Sequence, residues 1–309
     1  MALVTSSSAS ASRRALRRNL EGWLFVSPVV LGLLCWTLAP FVAAFYFSFT
    51  RYDLLSTPIV VGLRNYSRLL GDALFWQSVK VTLSFTALFL PLSMGVGLGM
   101  ALLLNQKVRG IGLLRTTFYV PSIVPLVATA VLWIWILNPN GGLLNIALTT
   151  LHLPKGLWLT DPGSALPSLV LIGLWSVGGG MIVYLAGLQG VPEEYYEAAK
   201  IDGASTLRQF WHVTLPMISP TLFYQLILGL IASMQYFTQA FVLGGTSGGG
   251  LGAPANSTLF LTIYIYQIAF SYYQMGYACA LSVVLFAMIL VLTLVLFGSQ
   301  RFWVFYGDR

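Results

Sequence analysis

The stretch SPTLFYQLILGLIASMQYFTQAFVL, residues 219–243, contains no Asp, Glu, Lys or Arg, and none occurs anywhere from Gln209 to Gln300. A helix crossing the hydrocarbon of a bilayer needs about 20 mostly apolar residues, because its backbone polar groups can be satisfied only within the helix. This run is long enough for two crossings. Further charge-free runs lie between Glu21 and Arg51, Lys80 and Lys107, Arg115 and Lys155, and Asp161 and Glu193. Helical spans are therefore expected at 23–49, 81–104, 117–137, 165–188, 219–243 and 274–297. The 309-residue chain agrees as a whole: 57% of it is hydrophobic and 8% charged, whereas soluble proteins are about a quarter charged.

Six spans leave both termini on one side, and Lys and Arg choose which side that is. Arg13, Arg14, Arg17 and Arg18, then Lys107, Arg109, Arg115, Lys200, Arg208, Arg301 and Arg309 share one side. Arg51, Arg64, Arg68, Lys80 and Lys155 lie on the other, so the first side is read as cytoplasmic. The same bias accounts for the net charge of +7 without any nucleic acid. The apolar run after the basic tail is too long for a signal-peptide core, so it reads as a retained span. Cys35 and Cys279 fall inside spans and read as apolar packing residues.

The chain divides into a basic tail (1–22), a first span with its outward loop (23–75), a core of five spans (76–298) carrying a cytoplasmic loop at 191–216, and a C-terminal tail (299–309). Pro40, Pro91, Pro121 and Pro125 lie within spans, either as ordinary membrane-helix prolines or as kinks around a cavity. Gly95 and Gly99 form a G-x-x-x-G that would permit close helix contact. The outward segment GGTSGGGLGAPANS (244–257) reads as a flexible linker, and the aromatic LFLTIYIYQIAFSYY after it as a lead into the last span.

Several chemistries are missing from the sequence. The expected spans hold no ionisable group of the kind that couples transport to protons or sodium. No lysine follows a glycine, so there is no G-x-x-x-x-G-K-[ST] phosphate loop. His152 and His212 are isolated, which leaves neither a metal cluster nor an acid/base pair. The chain is not expected to be an enzyme, and energy for uphill transport would have to enter through a partner.

The loop EEYYEAAKIDGASTLRQFWHVTLP, residues 193–216, gathers four of the nine acidic residues: Glu193, Glu194, Glu197 and Asp202. Pro192 suits a first helical position, and acidic residues in the early turns complement the helix dipole. Gly203 supplies a left-handed stop, Ser205 a cap for a second short helix, and Pro216 marks the return to the bilayer. Ala198 and Ala199 leave a face on which another protein could settle closely. Either a solvated connector or a docking element fits these features.

The pattern Glu197-Ala198-Ala199, Gly203, Val213, Leu215-Pro216 resembles the EAA loop of permease subunits from binding-protein-dependent ABC importers, with Val213 in place of the usual Ile. VGLRNYSRLLGDALFW, WLTDPGSALP and YLAGLQGVPEEYYEAAKIDGAS resemble the carbohydrate-uptake branch, its MalF-like and UgpA-like subunits above all. The resemblance implies an all-α integral membrane protein with the six-helix type I importer permease fold, in the cytoplasmic (inner) membrane of a bacterium or archaeon. It implies a second homologous permease subunit, two ATPase subunits and an extracytoplasmic solute-binding protein as partners, besides membrane lipid. ATP and Mg would be bound by the ATPase, and no cofactor by this chain. Glu197, Ala198, Ala199 and Gly203 would form the docking element, flanked by Asp202 and Arg208. By motif offset, a substrate cavity would involve Trp175, Ser176 and Gly179 on the fourth span and Ser233, Tyr236 and Phe237 on the fifth. Trp175 and Tyr236 would offer aromatic faces to a sugar, oligosaccharide or polyol, and Ser176, Ser233, Gln235 and Gln239 neutral hydrogen bonds. The alternative is a six-span passive channel for small neutral solutes.

Overall fold

A computed structural model describes residue 19, residues 21–246 and residues 250–306. Arg13, Arg14, Arg17 and Arg18 of the basic tail, the linker positions 247–249, and Arg309 lie outside the described residues. Among those described, four helices are long and apolar enough to cross a membrane, and six spans result if each of two bent pairs counts as one. They are α1 (Glu21–Phe47), α3 (Ala73–Leu104), the pair α4 (Ile111–Ile123) and α5 (Leu126–Ile136), the pair α7 (Pro162–Leu174) and α8 (Gly178–Gln189), the pair α11 (Ser219–Met234) and α12 (Thr238–Thr246), and α14 (Met275–Trp303). Short elements join them: β1 (Thr50–Arg51), β2 (Ile59–Val60) and α2 (Arg64–Leu70) between the first two spans, α6 (Leu143–Thr150) between the third and fourth, α9 (Glu193–Ile201) and α10 (Thr206–Gln209) between the fourth and fifth, and α13 (Leu261–Tyr266) before the last.

The spans fall where the charge-free runs put them, but two bend sharply and the fifth is interrupted without a sharp bend at residues 235–237. The third bends by 97° between α4 and α5, and the fourth by 52° between α7 and α8. Pro125 sits at the first bend. Pro91 and Pro121 lie inside α3 and α4 without breaking them. Upstream of Pro40, α1 widens into π-helical turns at Leu33–Leu38, where the Ala39 amide reaches the Leu34 carbonyl. Proline lacks an N–H, and π turns, rare elsewhere, occur mostly as such single-turn bulges inside long helices.

The second span begins at Ala73, not at 81, because Asp72 caps it: the carboxylate accepts from the amides of Leu74 at 3.0 Å and Phe75 at 3.3 Å. Its other oxygen accepts from the hydroxyls of Tyr277, at 2.6 Å, and Tyr264. One acidic side chain thus ties the start of the second span to α13 and α14. Burial opposes ionisation of Asp72, but the two hydroxyls and two amides outweigh it and hold the carboxyl below its ordinary value. A depressed pKa contributes stability above the ordinary carboxylate range that disappears as pH falls through the lower folded value. Asp72→Ala, which loses the cap and leaves two tyrosines unpaired, is expected to cost about 2–4 kcal/mol. The check is the melting temperature in detergent, and the native protein's advantage over the variant should shrink below about pH 4.

Contacts between loops separate the two ends of the bundle. Lys107, after the second span, pairs with Glu193, after the fourth, at 2.9 Å. Asp72 and Gln77, at the start of the second span, instead meet Tyr264, Tyr277 and the Asn256 carbonyl around the fifth loop. Six alternating spans predict this pairing.

The core fills with residues from both ends of the sequence, including the fully buried Phe85, Met234, Phe260, Leu261, Ile263 and Leu281. The aromatic segment leads into the last span as expected, and its first part also joins this core. Its Leu261 amide bonds the Thr82 hydroxyl at 2.9 Å in the interior. Close helix approach falls on Gly97 rather than on Gly95 and Gly99, which face open space. A Cβ at 97 would lie 3.0 Å from Val177 and 3.1 Å from Tyr184 on the α7–α8 span.

Candidate functional site

Two features stand out, one at each level of the bundle. The first is the exposed loop formed by α9 and α10. Glu193 and Glu194 occupy the first turn of α9 and Lys200 the last, each sign matched to the helix dipole. Pro192 precedes the helix as its N-cap rather than opening it. At the far end Gly203 adopts φ +72°. The Gly203 amide bonds the Lys200 carbonyl at 3.0 Å, and the Ala204 amide bonds that of Ala199 at 2.8 Å. This is the paired Schellman closure that a left-handed glycine permits. Ser205 then caps α10 by accepting from the Arg208 amide.

The loop is fastened at its base. Tyr196 points inward to share a hydrogen bond with Thr214 at 3.0 Å, and Lys107 holds Glu193. That ion pair raises the Lys107 pKa and lowers that of Glu193, chiefly through the hydrogen bond between them. The outer surface is left free: Glu197, Ala198, Asp202, Gly203 and Arg208 are exposed and Ala199 half-buried. Two apolar side chains stand beside them, Ile201 at 86% exposure and Leu207 at 70%. Neither was singled out from the sequence. The signal was available, since an isoleucine between Lys200 and Asp202 on a solvated helix has no partner within its own chain.

The second feature is a cavity of about 440 Å³ inside the bundle. Three interrupted spans converge on it: Leu126 from the bend of the third, Ser176 and Val177 from the bend of the fourth, and Gln235, Tyr236 and Phe237 from the gap between α11 and α12. Irregular backbone at membrane depth is tolerated where it lines a cavity or lies buried in protein. At the gap, Thr262 donates its hydroxyl to the Tyr236 carbonyl at 2.6 Å. No charged residue lines the cavity; its polar groups are serine, threonine, glutamine and tyrosine side chains set among Phe89, Met94 and Leu228.

Six of the eight residues expected at a substrate cavity, Ser176, Ser233, Gln235, Tyr236, Phe237 and Gln239, line this one. Trp175 and Gly179 do not. The bend turns Trp175 outward, where it is 52% exposed and meets Trp133 edge-on at 5.8 Å, while Gly179 faces Ser122. Tyr236 is also differently used: its ring is packed between Phe85 at 4.4 Å and Phe260 at 5.1 Å, so its face is not open for stacking, and its buried hydroxyl has no hydrogen-bond partner. Ser93, Tyr184 and Gln225 are lining residues the offset did not reach. Gln225 crosses close to Gly180, where a Cβ would lie 2.7 Å from its Nε2.

Residues 93–304 match the family described as the binding-protein-dependent transport system inner membrane component. The chain belongs to that family. It is 38% identical over 301 residues to the probable ABC transporter permease protein YesP of Bacillus subtilis, covering 96% of each chain. It is 35% identical over 297 residues to the trehalose/maltose transport system permease protein MalF of Thermococcus litoralis, covering 94% of this chain and 97% of the other. Its fold matches a solved bacterial ABC transporter involved in import of the acidic polysaccharide alginate, with TM-score 0.81 and 22% identity over 94% of this chain and 98% of that one.

The chain is thus a multi-pass inner-membrane permease subunit with the type I importer fold, and not itself an enzyme. Like its family, it serves binding-protein-dependent transport, together with a second permease and a separate ATPase. A passive channel is not the reading these relationships favour.

Proposed function

We propose that this permease moves a neutral sugar, oligosaccharide or related polyol inward by alternating access, driven through the α9–α10 loop by the ATPase. ATP and Mg belong to that partner and no cofactor to this chain. With the loop end cytoplasmic, Glu197, Ala198, Ala199 and Gly203 form the docking face, flanked by Asp202 and Arg208. The acidic character of α9 favours a cleft carrying basic groups. Ile201 and Leu207 add the exposed apolar anchors such an interface uses at its centre.

The observation that carries the substrate class is the uncharged lining of the 440 Å³ cavity at the meeting of three broken spans. Hydroxyl and amide side chains there exchange hydrogen bonds with hydroxyls of a solute, while the apolar walls meet its C–H faces. The relative named for trehalose and maltose supports the same class. With no Asp, Glu, His, Lys or Arg lining the cavity, uptake draws on ATP alone. The test is uptake of labelled neutral oligosaccharides by proteoliposomes holding the full complex and loaded binding protein. Uptake should persist with an uncoupler while internal ATP is held constant, and collapse under those conditions would contradict the reading.

A further inference from the structure

Most cations outside the loop end of the bundle gather at one place. Arg51 on the β1–β2 hairpin and Arg64 and Arg68 on α2 border a groove of about 570 Å³, together with Val61, Asn65 and Ser67. A second hollow of about 600 Å³ shares Arg51, Asn65 and Arg68 and extends to Tyr52, Tyr272 and Tyr273. The frame is built. Asn65 donates to the carbonyls of Ser48 and Thr50 at 2.8 Å each. The Gly276 amide bonds the Tyr52 carbonyl at 3.0 Å, and a Cβ at 276 would collide with the Thr50 carbonyl. Arg68 is aimed by Gln274 Oε1 at 2.7 Å and by the Tyr277 ring, 4.2 Å from its guanidinium carbon.

The nearby carboxylates are committed elsewhere. Asp53 stands in the wall of the second hollow, where it accepts from Ser56 and the turn amides of its own hairpin, and Asp72 serves the α3 cap and two tyrosines. Arg51 and Arg64 form no ion pair among the described residues, and the 570 Å³ groove has no carboxylate in its wall. Position supplies the second argument. Arg51 lies four residues past the end of the first span, and Tyr272 and Tyr273 lie just before the last. Tyrosine and arginine at span ends are the residues that meet the polar headgroup layer. Toward the bilayer centre the same two spans present an exposed apolar seam, with Val42 and Phe45 on one side, Phe286 on the other, and Phe41 against Phe286 at 5.1 Å.

We propose that this groove seats the headgroup of an anionic phospholipid, its phosphate among Arg51, Arg64 and Arg68 and its acyl chains along the Phe41–Phe286 seam. Planar guanidinium groups suit phosphate oxygens, and unpaired cations beside apolar helix surface match an amphiphile's two ends. The proposal does not depend on what the cavity carries.

The experiment places the full complex in nanodiscs of phosphatidylcholine with or without phosphatidylglycerol and counts retained lipid by native mass spectrometry. The native protein should retain phosphatidylglycerol at least about tenfold over phosphatidylcholine, and Arg51→Ala with Arg64→Ala should lose most of that preference. The pair leaves Arg68 and its contacts in place, so the fold should survive, and basal ATPase activity checks this. Excess glycerol phosphate should displace little lipid. No preference in the native protein, full preference in the variant, or complete displacement by glycerol phosphate would each overturn the proposal. So would a variant that keeps its lipid but needs more binding protein for stimulation, which would make the groove a docking pad.

Discussion

Gly203→Pro should insert into the membrane as the native chain does and lose binding-protein-stimulated ATP hydrolysis by more than about tenfold, a loss of about 1.4 kcal/mol or more in coupling. Residue 203 holds φ +72°, whereas proline fixes φ near −65° and has no N–H. The substitution therefore removes the bond to the Lys200 carbonyl and forbids the turn that directs α9 away from α10. Strain of about 3 kcal/mol or more falls on a loop with little buried surface of its own, so the loop should rearrange while the spans persist. A second variant separates docking from turn geometry. Ile201→Asp changes a side chain 86% exposed and should leave the loop intact, yet place a charge without a partner in the centre of the proposed interface. Co-purification of the ATPase with each variant, followed by stimulated hydrolysis, gives the readout. Should both variants couple as the native protein does, the loop is a connector and the docking assignment fails.

What the sequence could show depended on the range of the interactions involved. The spans were legible because the requirement behind them is local: twenty or so residues without charge. The α9–α10 loop was legible for the same reason, since its Schellman closure at Gly203 and cap at Ser205 are set within a few residues. The bends were not. Pro91 and Pro121 leave their helices unbroken, while the fourth span bends at Trp175–Val177, which contains no proline. Gly178, next in sequence, lies so close to Phe118 that a Cβ would sit 2.2 Å from that residue's carbonyl oxygen. Only the packed structure reveals that approach. At this bend Trp175 lies off the cavity and Ser176 on it, a distinction that counting along the chain from a motif does not carry. Asp72 fell beyond sequence reasoning because its tyrosine partners lie 192 and 205 positions away.

Ala232→Trp is expected to lower solute uptake by more than about tenfold while leaving assembly with the ATPase intact. Ala232 lines the cavity between Gly229 and Ser233, and an indole there must occupy the space a sugar ring would pass through. Its escape is limited: a Cβ at Gly229 would already approach Leu90 to 2.6 Å, so that wall does not yield without displacing the core. The α9–α10 loop lies at the end of the bundle and shares no residue with the cavity, so docking should be unaffected. Gly203→Pro should therefore abolish stimulated hydrolysis and uptake together, whereas Ala232→Trp should abolish uptake with the complex still assembled. Trp175→Ala supplies the internal control, because Trp175 faces outward against Trp133 and its removal should change uptake little. Uptake preserved in Ala232→Trp and lost in Trp175→Ala would move the solute path to the outer face of the fourth span. The opposite result would assign the path to the space enclosed by the three interrupted spans.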